Sequence, residues 1–429
     1  MNKKTLLFLG GTGAMYDAVE LAKQKGIYTI VADYFPNSPA KRIADKSYLV
    51  STTDIDKVIE IAKENKIDGV FTGYSDANLP PARAVADALG LPFYATNEQI
   101  EVTTNKLLFK QTCREHGIPV VPEYALDKNL NPEDLAKIVY PVIVKPSDAW
   151  ASKGVSICEN EKELIDAVHY ALQFSRNQRI IVEQYMAAYP DVCMYFNIQN
   201  GKMYLTAMCE RDMNEVQKGK AMQPNALFYP CRFVDLYYQQ LKDKLQNMIT
   251  DLNMQVGSMF MQCFVVDGML MPFEMGYRLC GAQEYILCAA ENGINTCEML
   301  IDYALTGKFD TWDAAECNDA YFKHSDAILL TLLRPGKITR IEGLEELRAM
   351  PEILKIAQFY YEGDEIGANS MGTLNQTFAR IFIQGQNPEH LLQLIDHIQT
   401  TLKIYDENGN QMLIPGYDCK SDRLLRFYK

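Results

Sequence analysis

The sequence predicts an α/β protein that begins with a parallel sheet. Two observations carry this prediction. Short apolar segments alternate with amphipathic ones through the first hundred residues, and the character of the chain changes from about residue 105. Alternating short βα units build a doubly wound parallel sheet. The later parts, where strands return through turns, are predicted to be α+β.

The elements of the first part follow from this alternation. The predicted strands are residues 5–9, 28–32, 47–50 and 69–72, and the predicted helices are residues 16–25, 54–65 and 81–89. Asp54 is a natural N-cap for the second of these helices. Ser75 follows the fourth strand, at the edge where open α/β sheets bind ligands, so it is a candidate substrate contact.

Composition excludes several classes of protein. The 429 residues suffice for roughly two to four domains. A formal net charge of −13 without any Lys/Arg-rich run argues against a nucleic-acid partner. Eleven scattered cysteines with no CxxC pair favour a reducing compartment. No stretch approaches the ~20 apolar residues that span a bilayer. We therefore expect a cytoplasmic protein without a membrane partner.

A glycine-rich turn follows the first predicted strand. Gly11 and Gly13 begin a dinucleotide-binding pattern, and Asp33 lies where a ribose-binding acid would lie. Tyr16, however, occupies the position of the third glycine, so the pattern is incomplete. A nicotinamide or flavin site is therefore a minor alternative to a turn that caps the sheet or holds another substrate.

Charged residues close two later strands. A predicted strand ends in Lys145, directly before Pro146, and a loop of small residues follows it. A helix over residues 161–174 then leads to a strand that closes on Glu183. A lysine at the end of an apolar strand, beside loop N–H groups, suits the binding of nucleotide phosphates.

A predicted β-hairpin spans residues 264–278. Its Asp267-Gly268 pair is a hairpin turn signal between two apolar runs. The returning strand carries Glu274 and Arg278 at its far end, and at i and i+4 they share a face, because side chains alternate along a strand. A carboxylate and a guanidinium on one face suit a metal–phosphate group beside an anionic reactant. The alternative is an edge hairpin with a solvated ion pair.

Taken in order, these segments resemble the ATP-grasp superfamily. The residues are Asn105-Lys106, Val144-Lys145-Pro146, Ser152-Lys153-Gly154, Val182-Glu183-Gln184-Tyr185 and Phe273-Glu274 with Arg278. They are most similar to the branch that contains carbamoyl-phosphate synthetases, biotin carboxylases and L-amino-acid ligases. Segments 334–338, 361–366 and 376–381 resemble the final domain of that branch, so the resemblance covers nearly the whole chain.

The resemblance implies three domains. Residues 1–104 would form a Rossmann-like domain, residues 105–310 an ATP-grasp domain with a lid at about 140–190, and residues 311–429 a smaller α+β domain. The nucleotide would contact Lys106, Lys145, Ser152, Gly154, Glu183, Gln184, Met186 and Asp191. In that family pattern Lys106 and Lys145 bind phosphates, and Ser152 and Gly154 lie in the lid loop. Glu183, Gln184 and Met186 meet adenine, and Asp191 meets ribose.

The resemblance also implies a metal site and a catalytic residue. Glu274 would coordinate Mg²⁺, with Mn²⁺ as an alternative ion, and Arg278 would stabilise an acyl phosphate. Two positions depart from the family: Gln262 stands where an acid is usual, and Gly276 where Asn is usual. Gln262 therefore offers only a neutral oxygen, and we expect one well-held ion and a weak or absent second one.

A polar loop over residues 210–220 is a second candidate substrate contact. Arg211 and Lys220 carry charges that suit a substrate carboxylate. The alternative interpretation of the segment is a solvated loop without a binding role.

These residues predict an ADP-forming carboxylate–amine ligase that acts through an acyl phosphate, with amino-acid or dipeptide ligation as the narrower hypothesis. ATP and small carboxylate and amine substrates are the expected partners, and a homodimer is left open. Two alternatives remain. One is bicarbonate activation as in biotin carboxylases. The other is a nucleotide-binding pseudoenzyme or regulatory module, suggested by Gln262 and Gly276.

Overall fold

A computed structural model of the chain describes residues 3–148, 153–214, 222–309, 313–317 and 319–420. In the first part, strands and helices alternate as predicted: β1 (Thr5–Leu9), α1 (Gly13–Gln24), β2 (Tyr28–Asp33), β3 (Lys46–Leu49), α2 (Ile55–Glu64), β4 (Gly69–Phe71) and α3 (Leu79–Leu89). The four strands form a parallel sheet in the order β3-β2-β1-β4. The predicted parallel sheet is confirmed.

Both faces of this sheet are buried, as the apolar strands require. Leu6 and Phe8 belong to one core cluster, and Leu7 and Leu9 belong to another. Successive side chains of a strand point to opposite faces, so an unbroken apolar strand needs cover on both sides. Because the four strands are parallel, their carboxyl ends meet at one edge of the sheet, where ligands can approach.

Two helices lead away from this sheet: α4 (Asn97–Thr104) and α5 (Lys106–Glu115). Helix α4 was not predicted, because the apolar residues of its sequence have only a weak helical periodicity. Thr96 and Gln99 nevertheless form a capping box at its start. The Asn105 side chain caps α5 by accepting from the N–H groups of Leu107 and Leu108. This cap places Lys106 in the first turn of the helix, where exposed N–H groups favour anions.

A small antiparallel sheet follows, in the region predicted to be the lid. Its elements are β5 (Glu123–Tyr124), α6 (Pro132–Leu135), β6 (Val142–Pro146), β7 (Ser156–Cys158), α7 (Glu161–Leu172) and β8 (Ile180–Gln184), with strand order β5-β8-β6-β7. One face packs against α7 in a separate core, to which Val144, Leu164 and Val182 contribute. This arrangement brings the ends of β6 and β8, with their charged residues, side by side.

The centre of the chain supplies five strands of a large antiparallel sheet. Its elements are β9 (Asp191–Gln199), β10 (Lys202–Asn214), β11 (Gln223–Tyr229), α8 (Val234–Gln240), α9 (Lys242–Asp251), β12 (Val256–Val266), β13 (Met269–Gly276), α10 (Tyr285–Asn292), α11 (Thr296–Thr306) and α12 (Ala314–Cys317). The predicted hairpin is β12–β13, with Asp267 and Gly268 both at positive φ in the turn.

The hairpin differs from its prediction at the far end. The strand ends at Gly276, and the register shifts between Gln262 and Cys263. Arg278 therefore lies two residues beyond the strand, and alternation along β13 does not set its direction. Contacts with other elements set it instead.

The last third of the chain extends the same sheet. Its elements are β14 (Ser325–Leu332), β15 (Gly336–Lys337), β16 (Arg340–Glu342), α13 (Leu344–Arg348), β17 (Ile353–Gln358), β18 (Glu365–Ile366), β19 (Thr377–Gly385), α14 (Pro388–Thr401) and β20 (Lys403–Tyr405). The full order is β13-β12-β9-β10-β11-β14-β19-β17. One sheet thus crosses the predicted boundary at residues 310 and 311. Among the described helices, none combines the length and apolar character needed to cross a membrane.

A buried carboxyl on β14 makes stability depend on pH. Asp326 is fully buried, and burial, with the Glu291 carboxylate as the second cause, raises its pKa to about 8. The native state therefore keeps a proton that the unfolded chain releases near pH 4, so this contribution to stability is present below pH 4 and is lost as the pH rises towards 8.

We expect Asp326→Asn to stabilise the protein at pH 8 and to have little effect near pH 4. One unit of pKa shift corresponds to about 1.4 kcal/mol, so a gain of at least about 1 kcal/mol is expected at pH 8. Thermal melts at pH 5, 6, 7 and 8 measure this, with the exposed Asp54→Asn as the control. A gain that is the same at every pH would contradict the titration of Asp326.

Candidate functional site

A small cleft lies where the first sheet, the start of α5 and the hairpin meet. It is lined by Asp76, Thr103, Thr104, Lys106, Phe109, Glu274 and Met275. Lys106 and Glu274, predicted to bind phosphate and metal, thus line one cleft although 168 residues separate them in sequence. The cleft brings a cation and a carboxylate together where a metal–phosphate group would need both.

Arg278 is held at this cleft by an acid from the first sheet. Its Nε and Nη2 donate to Oδ1 and Oδ2 of Asp76 at 2.6 and 2.7 Å, and both side chains are about nine-tenths buried. The guanidinium also lies 4.9 Å from the centre of the Phe260 ring. A bidentate pair of this kind fixes the plane of the guanidinium. Ser75 is the preceding residue, and Asp76, rather than Ser75, lines the cleft.

A second cluster of charges lies where the small sheet meets α5. Glu183 forms ion pairs with both Lys110 and Lys145, and all three side chains are buried. Burial alone would raise the pKa of Glu183, but the two lysines outweigh it and hold that pKa below its ordinary value. Lys110 also donates to the carbonyl of Val121 at 3.2 Å. The ion pair with Glu183 therefore fixes the position of the Lys145 side chain.

An apolar surface adjoins Lys145. Its Nζ lies 5.8 Å from the centre of the Phe273 ring, which stacks on Phe264 with centroids 4.6 Å apart. Met186 packs in the same small cluster. The Gln184 N–H donates to the carbonyl of Pro122. Stacked rings beside a fixed lysine suit a flat base attached to a phosphate chain.

Asp191 and Arg211, assigned separately to ribose and to substrate, contact each other. Nε and Nη2 of Arg211 donate to the two carboxylate oxygens of Asp191 at 2.7 and 2.8 Å, and Nη2 also donates to Oε1 of Gln262 at 3.2 Å. Burial raises the pKa of Asp191, Arg211 opposes this, and the nearby Glu274 carboxylate adds to it. The two carboxylates therefore lie within electrostatic reach of each other.

The donors present suit one magnesium ion. Within the described ranges, no group of three or more His, Cys, Asp and Glu side chains could hold a metal by itself. Glu274 lines the cleft, whereas the amide oxygen of Gln262 already accepts from Arg211. Mg²⁺ commonly takes one or two carboxylates and completes its shell with phosphates and water. These residues therefore fit an ion that arrives with a nucleotide.

Gly276 has a packing role. A Cβ atom there would lie 2.3 Å from Cε1 of Phe260, far inside van der Waals contact. Phe260 in turn contacts Arg278. The absent side chain at Gly276 therefore makes room for a ring that lies against the guanidinium.

The remaining predicted positions differ in how much can be said. Ser152 and Lys220 lie outside the described residues. Gly154 has φ of +73°, and a Cβ there would lie 2.8 Å from Pro146. In the glycine-rich turn, the Gly11 N–H donates to Asp33 at 2.6 Å, and a Cβ at Gly13 would lie 1.9 Å from Phe359. That turn thus packs against another part of the chain.

Two family profiles match the chain. The profile described as D-ala D-ala ligase C-terminus matches residues 112–215, and the profile described as PylC-like, N-terminal domain, matches residues 6–86. Residues 112–215 thus resemble the C-terminal, ATP-grasp domain of D-ala D-ala ligases. The resemblance stated from the motifs is therefore confirmed.

Curated relatives match part of the chain. A formate-dependent phosphoribosylglycinamide formyltransferase of Sulfurisphaera tokodaii is 26% identical over 189 residues, which are 43% of this chain and 47% of the relative. The chain thus aligns with about half the length of the curated relatives it matches.

Two solved structures cover almost all of the chain. An L-amino acid ligase from Bacillus licheniformis has a TM-score of 0.75 at 19% identity and covers 95% of this chain and 100% of its own. The biotin carboxylase domain of Hydrogenobacter thermophilus 2-oxoglutarate carboxylase, solved with MgADP and bicarbonate, has a TM-score of 0.77 at 15% identity and covers 95% and 91%. At these identities the likeness establishes the ATP-grasp fold.

Two residues of the candidate site were not predicted from the sequence. Lys110 lies one helical turn after Lys106 and looks like an ordinary helix lysine, yet it is only 1% exposed. Asp76 directly follows Ser75, which the sequence analysis named as the candidate contact instead. A signal existed for Asp76, since polar residues after a parallel strand often meet ligands. No local signal distinguishes Lys110, because its partners come from β5 and β8.

Proposed function

We propose that this ATP-grasp protein is an ADP-forming carboxylate–amine ligase that acts through an acyl phosphate, with amino acids or dipeptides as substrates. The observation that carries the proposal is the meeting of Lys106, Glu274 and the Asp76–Arg278 pair at one cleft. A carboxylate is a poor electrophile, and phosphorylation by ATP supplies the leaving group that it lacks. That transfer needs charge neutralisation and positioning more than covalent help.

In the proposed first step, an oxygen of the substrate carboxylate attacks the γ-phosphorus of ATP. The bond between that phosphorus and the β–γ bridging oxygen breaks, and ADP leaves with the electron pair. Bound Mg²⁺, held through Glu274, would neutralise charge on the phosphate oxygens. Lys106 and Lys145 bind the phosphate chain from the small-sheet side, and Arg278 meets the charge that develops on the transferred group.

In the second step, an amine attacks the acyl carbon. A C–N bond forms, the bond from carbon to the phosphate oxygen breaks, and phosphate leaves with that electron pair. The Asp76–Arg278 pair is part of this proposal because it fixes the guanidinium plane beside the acyl phosphate. No nucleophilic Ser or Cys is needed for either step.

A screen for ADP release tests this function. Purified protein with ATP and Mg²⁺ or Mn²⁺ is incubated with amino acids singly and in all pairs, with bicarbonate as a further acid. We expect ADP release that requires a carboxylate and an amine together, and loss of that release in Glu274→Gln. Release with bicarbonate alone would instead favour the biotin-carboxylase-like alternative.

The lysine at the end of β6 gives a prediction for nucleotide binding. We expect Lys145→Ala to weaken ATP binding by roughly tenfold or more, because a charge-assisted hydrogen bond contributes ~1.5–3 kcal/mol and each decade is 1.4 kcal/mol. Calorimetry measures the affinity, and Lys137→Ala, which removes an exposed lysine paired with Asp134, is the matched control. Binding of NADH but not ATP by the unmodified protein would contradict the assignment.

The pseudoenzyme alternative also has a specific observation behind it. The Gln262 amide oxygen accepts from Arg211, and Phe260 covers Gly276, so two positions that usually supply metal ligands are otherwise engaged. Under this alternative, ATP binds with micromolar or better affinity and no combination of acid and amine releases ADP. The same screen, combined with calorimetry, separates the two functions.

A further inference from the structure

A buried polar network is centred on Gln283, which follows the cleft residues by a few positions in sequence. Gln283 is fully buried and has φ of +63°, a conformation that costs a non-glycine residue free energy. Its side-chain amide donates to Asp17 on α1 and accepts, at 2.8 Å, from Nη1 of Arg380 on β19. Gln283 thus connects the first sheet's helix to the last third of the chain, five residues after Arg278.

Arg380 has more hydrogen-bonding capacity than the chain uses. It is 7% exposed, and its guanidinium lies 4.8 Å from the centre of the Phe359 ring. Its Nε has no hydrogen-bond partner among the described residues. No described carboxylate lies within the 4.0 Å of an ion pair with it. A buried guanidinium in this condition is costly, because burial removes water without supplying an anion.

Glu284 is the complementary case. It is 4% exposed, and its Oε2 accepts no hydrogen bond from the part of the chain that the structure describes. Burial raises its pKa well above the ordinary range, and the positive charges of Arg380 and Arg278 act against this. These two arginines are thus near enough to act electrostatically on Glu284, yet neither forms an ion pair with it. Gln283 therefore accepts from the Arg380 guanidinium, and the next residue, Glu284, has a carboxyl oxygen without a hydrogen-bond partner among the described residues.

We infer that Arg380 and Glu284 form the subsite for the amine substrate of the proposed ligase, and that this substrate is a free α-amino acid. The α-carboxylate accepts from Nε of Arg380, and the α-ammonium donates to Oε2 of Glu284. A buried guanidinium and a buried carboxyl, each with an atom that has no hydrogen-bond partner among the described residues, match a zwitterion, which supplies one partner to each. Gln283 is a positioning residue that holds Arg380.

The inference rests on the proposed function, and its chemistry completes the second step. Opposite the bound α-ammonium Glu284 is ionised, and this carboxylate takes one proton from the ammonium, which leaves a free amine with a lone pair. The amine nitrogen attacks the acyl carbon, the bond from carbon to the phosphate oxygen breaks, and the second proton leaves with the phosphate. Arg278, which the proposed first step assigns to the acyl phosphate, lies near the start of the loop that ends at Glu284.

Binding of matched ligands tests the subsite without ATP. Each free amino acid is titrated by calorimetry, together with its α-amide, which lacks the carboxylate, and its des-amino acid, which lacks the ammonium. For an amino acid that binds, we expect Arg380→Gln to weaken the free form at least tenfold and to leave the α-amide unchanged. Glu284→Gln should weaken the free form similarly and leave the des-amino acid unchanged.

Two controls separate recognition from folding. Arg340→Gln removes an exposed arginine that pairs with Glu342 and should alter nothing. Arg380→Lys and Glu284→Asp keep the charges, and they should retain part of the affinity if the glutamine variants are poorly folded. ATP affinity should be unchanged in every variant that folds.

The possible results differ for the two proposals. Amino-acid binding with the expected pattern, but no ADP release from any pair, supports the subsite and contradicts the ligase. ADP release with amines that lack a carboxylate, insensitive to Arg380→Gln, supports the ligase and overturns the subsite. Binding of no free amino acid by the unmodified protein also overturns it.

Discussion

Replacing Arg278 with lysine is expected to lower turnover at least about 100-fold, while ATP affinity changes less than about threefold. Removing one donor that meets developing charge typically costs 10²–10³ in turnover. Lysine keeps the charge but loses the planar fork that holds both oxygens of Asp76. The loss should therefore fall on the transition state, not on the ground-state nucleotide complex.

The measurement is kcat and KM for ATP in the ADP-release assay, using the acid and amine pair that the screen identifies. Arg83→Lys is the matched control, since Arg83 forms a similar pair with Asp87 at an exposed position. Asp76→Asn should give a smaller loss than Arg278→Lys, because the guanidinium remains but loses its charged partner. Equal losses in ATP affinity and in turnover would show that Arg278 only binds nucleotide.

The regular parts of the fold could be predicted because local patterns determine them. The strand Thr5–Leu9 and the Asp267-Gly268 hairpin turn appear as predicted, since apolar run length and turn chemistry are local. Helix α4 was missed because apolar and polar residues are poorly separated between its faces. Its capping box is the only local sequence signal for it. The joining of β14 to β11 was beyond reach, because register between distant strands leaves no local trace.

The site was predictable at the level of residues and not at the level of pairs. Lys106 and Glu274 were chosen for their positions, and they line one cleft. The pair of Asp76 with Arg278 joins residues 202 apart, and the pair of Asp191 with Arg211 crosses two strands. Which cation pairs with which carboxylate depends on the topology of the fold. The order of the motifs along the chain does not determine that topology.

These pairs share one physical feature. Three of the cations proposed for anionic ligands, Lys145, Arg211 and Arg278, already have a buried carboxylate partner. A buried charge needs such a partner before the ligand binds, or its desolvation would destabilise the fold. The same partner fixes the geometry in advance, so less ordering is needed on binding. Arg380 and Glu284 are exceptions to this pairing, and that is the basis for assigning them a ligand.

Restoring the usual metal ligand at Gly276 is expected to damage the site. Gly276→Asn places a Cβ where the Phe260 ring lies, so the ring must move and its contact with Arg278 is lost. Overpacking of this kind typically costs ~1–3 kcal/mol. We therefore expect a lower melting temperature and lower turnover, with no decrease in the magnesium concentration required. Gly281→Asn is the matched control, because nothing lies within 4 Å of a Cβ at that position.

A second variant separates the packing effect from the metal effect. Phe260→Ala combined with Gly276→Asn opens space for the amide, and should recover stability relative to Gly276→Asn alone while turnover stays low, since Arg278 has lost the ring. Gln262→Glu alone should raise stability little and leave magnesium dependence nearly unchanged, because the new carboxylate faces Arg211. Magnesium titrations of ADP release and thermal melts measure both effects. A lower magnesium requirement in Gly276→Asn would show that Phe260 moves freely, and that its packing against Arg278 does not determine which residue occupies position 276.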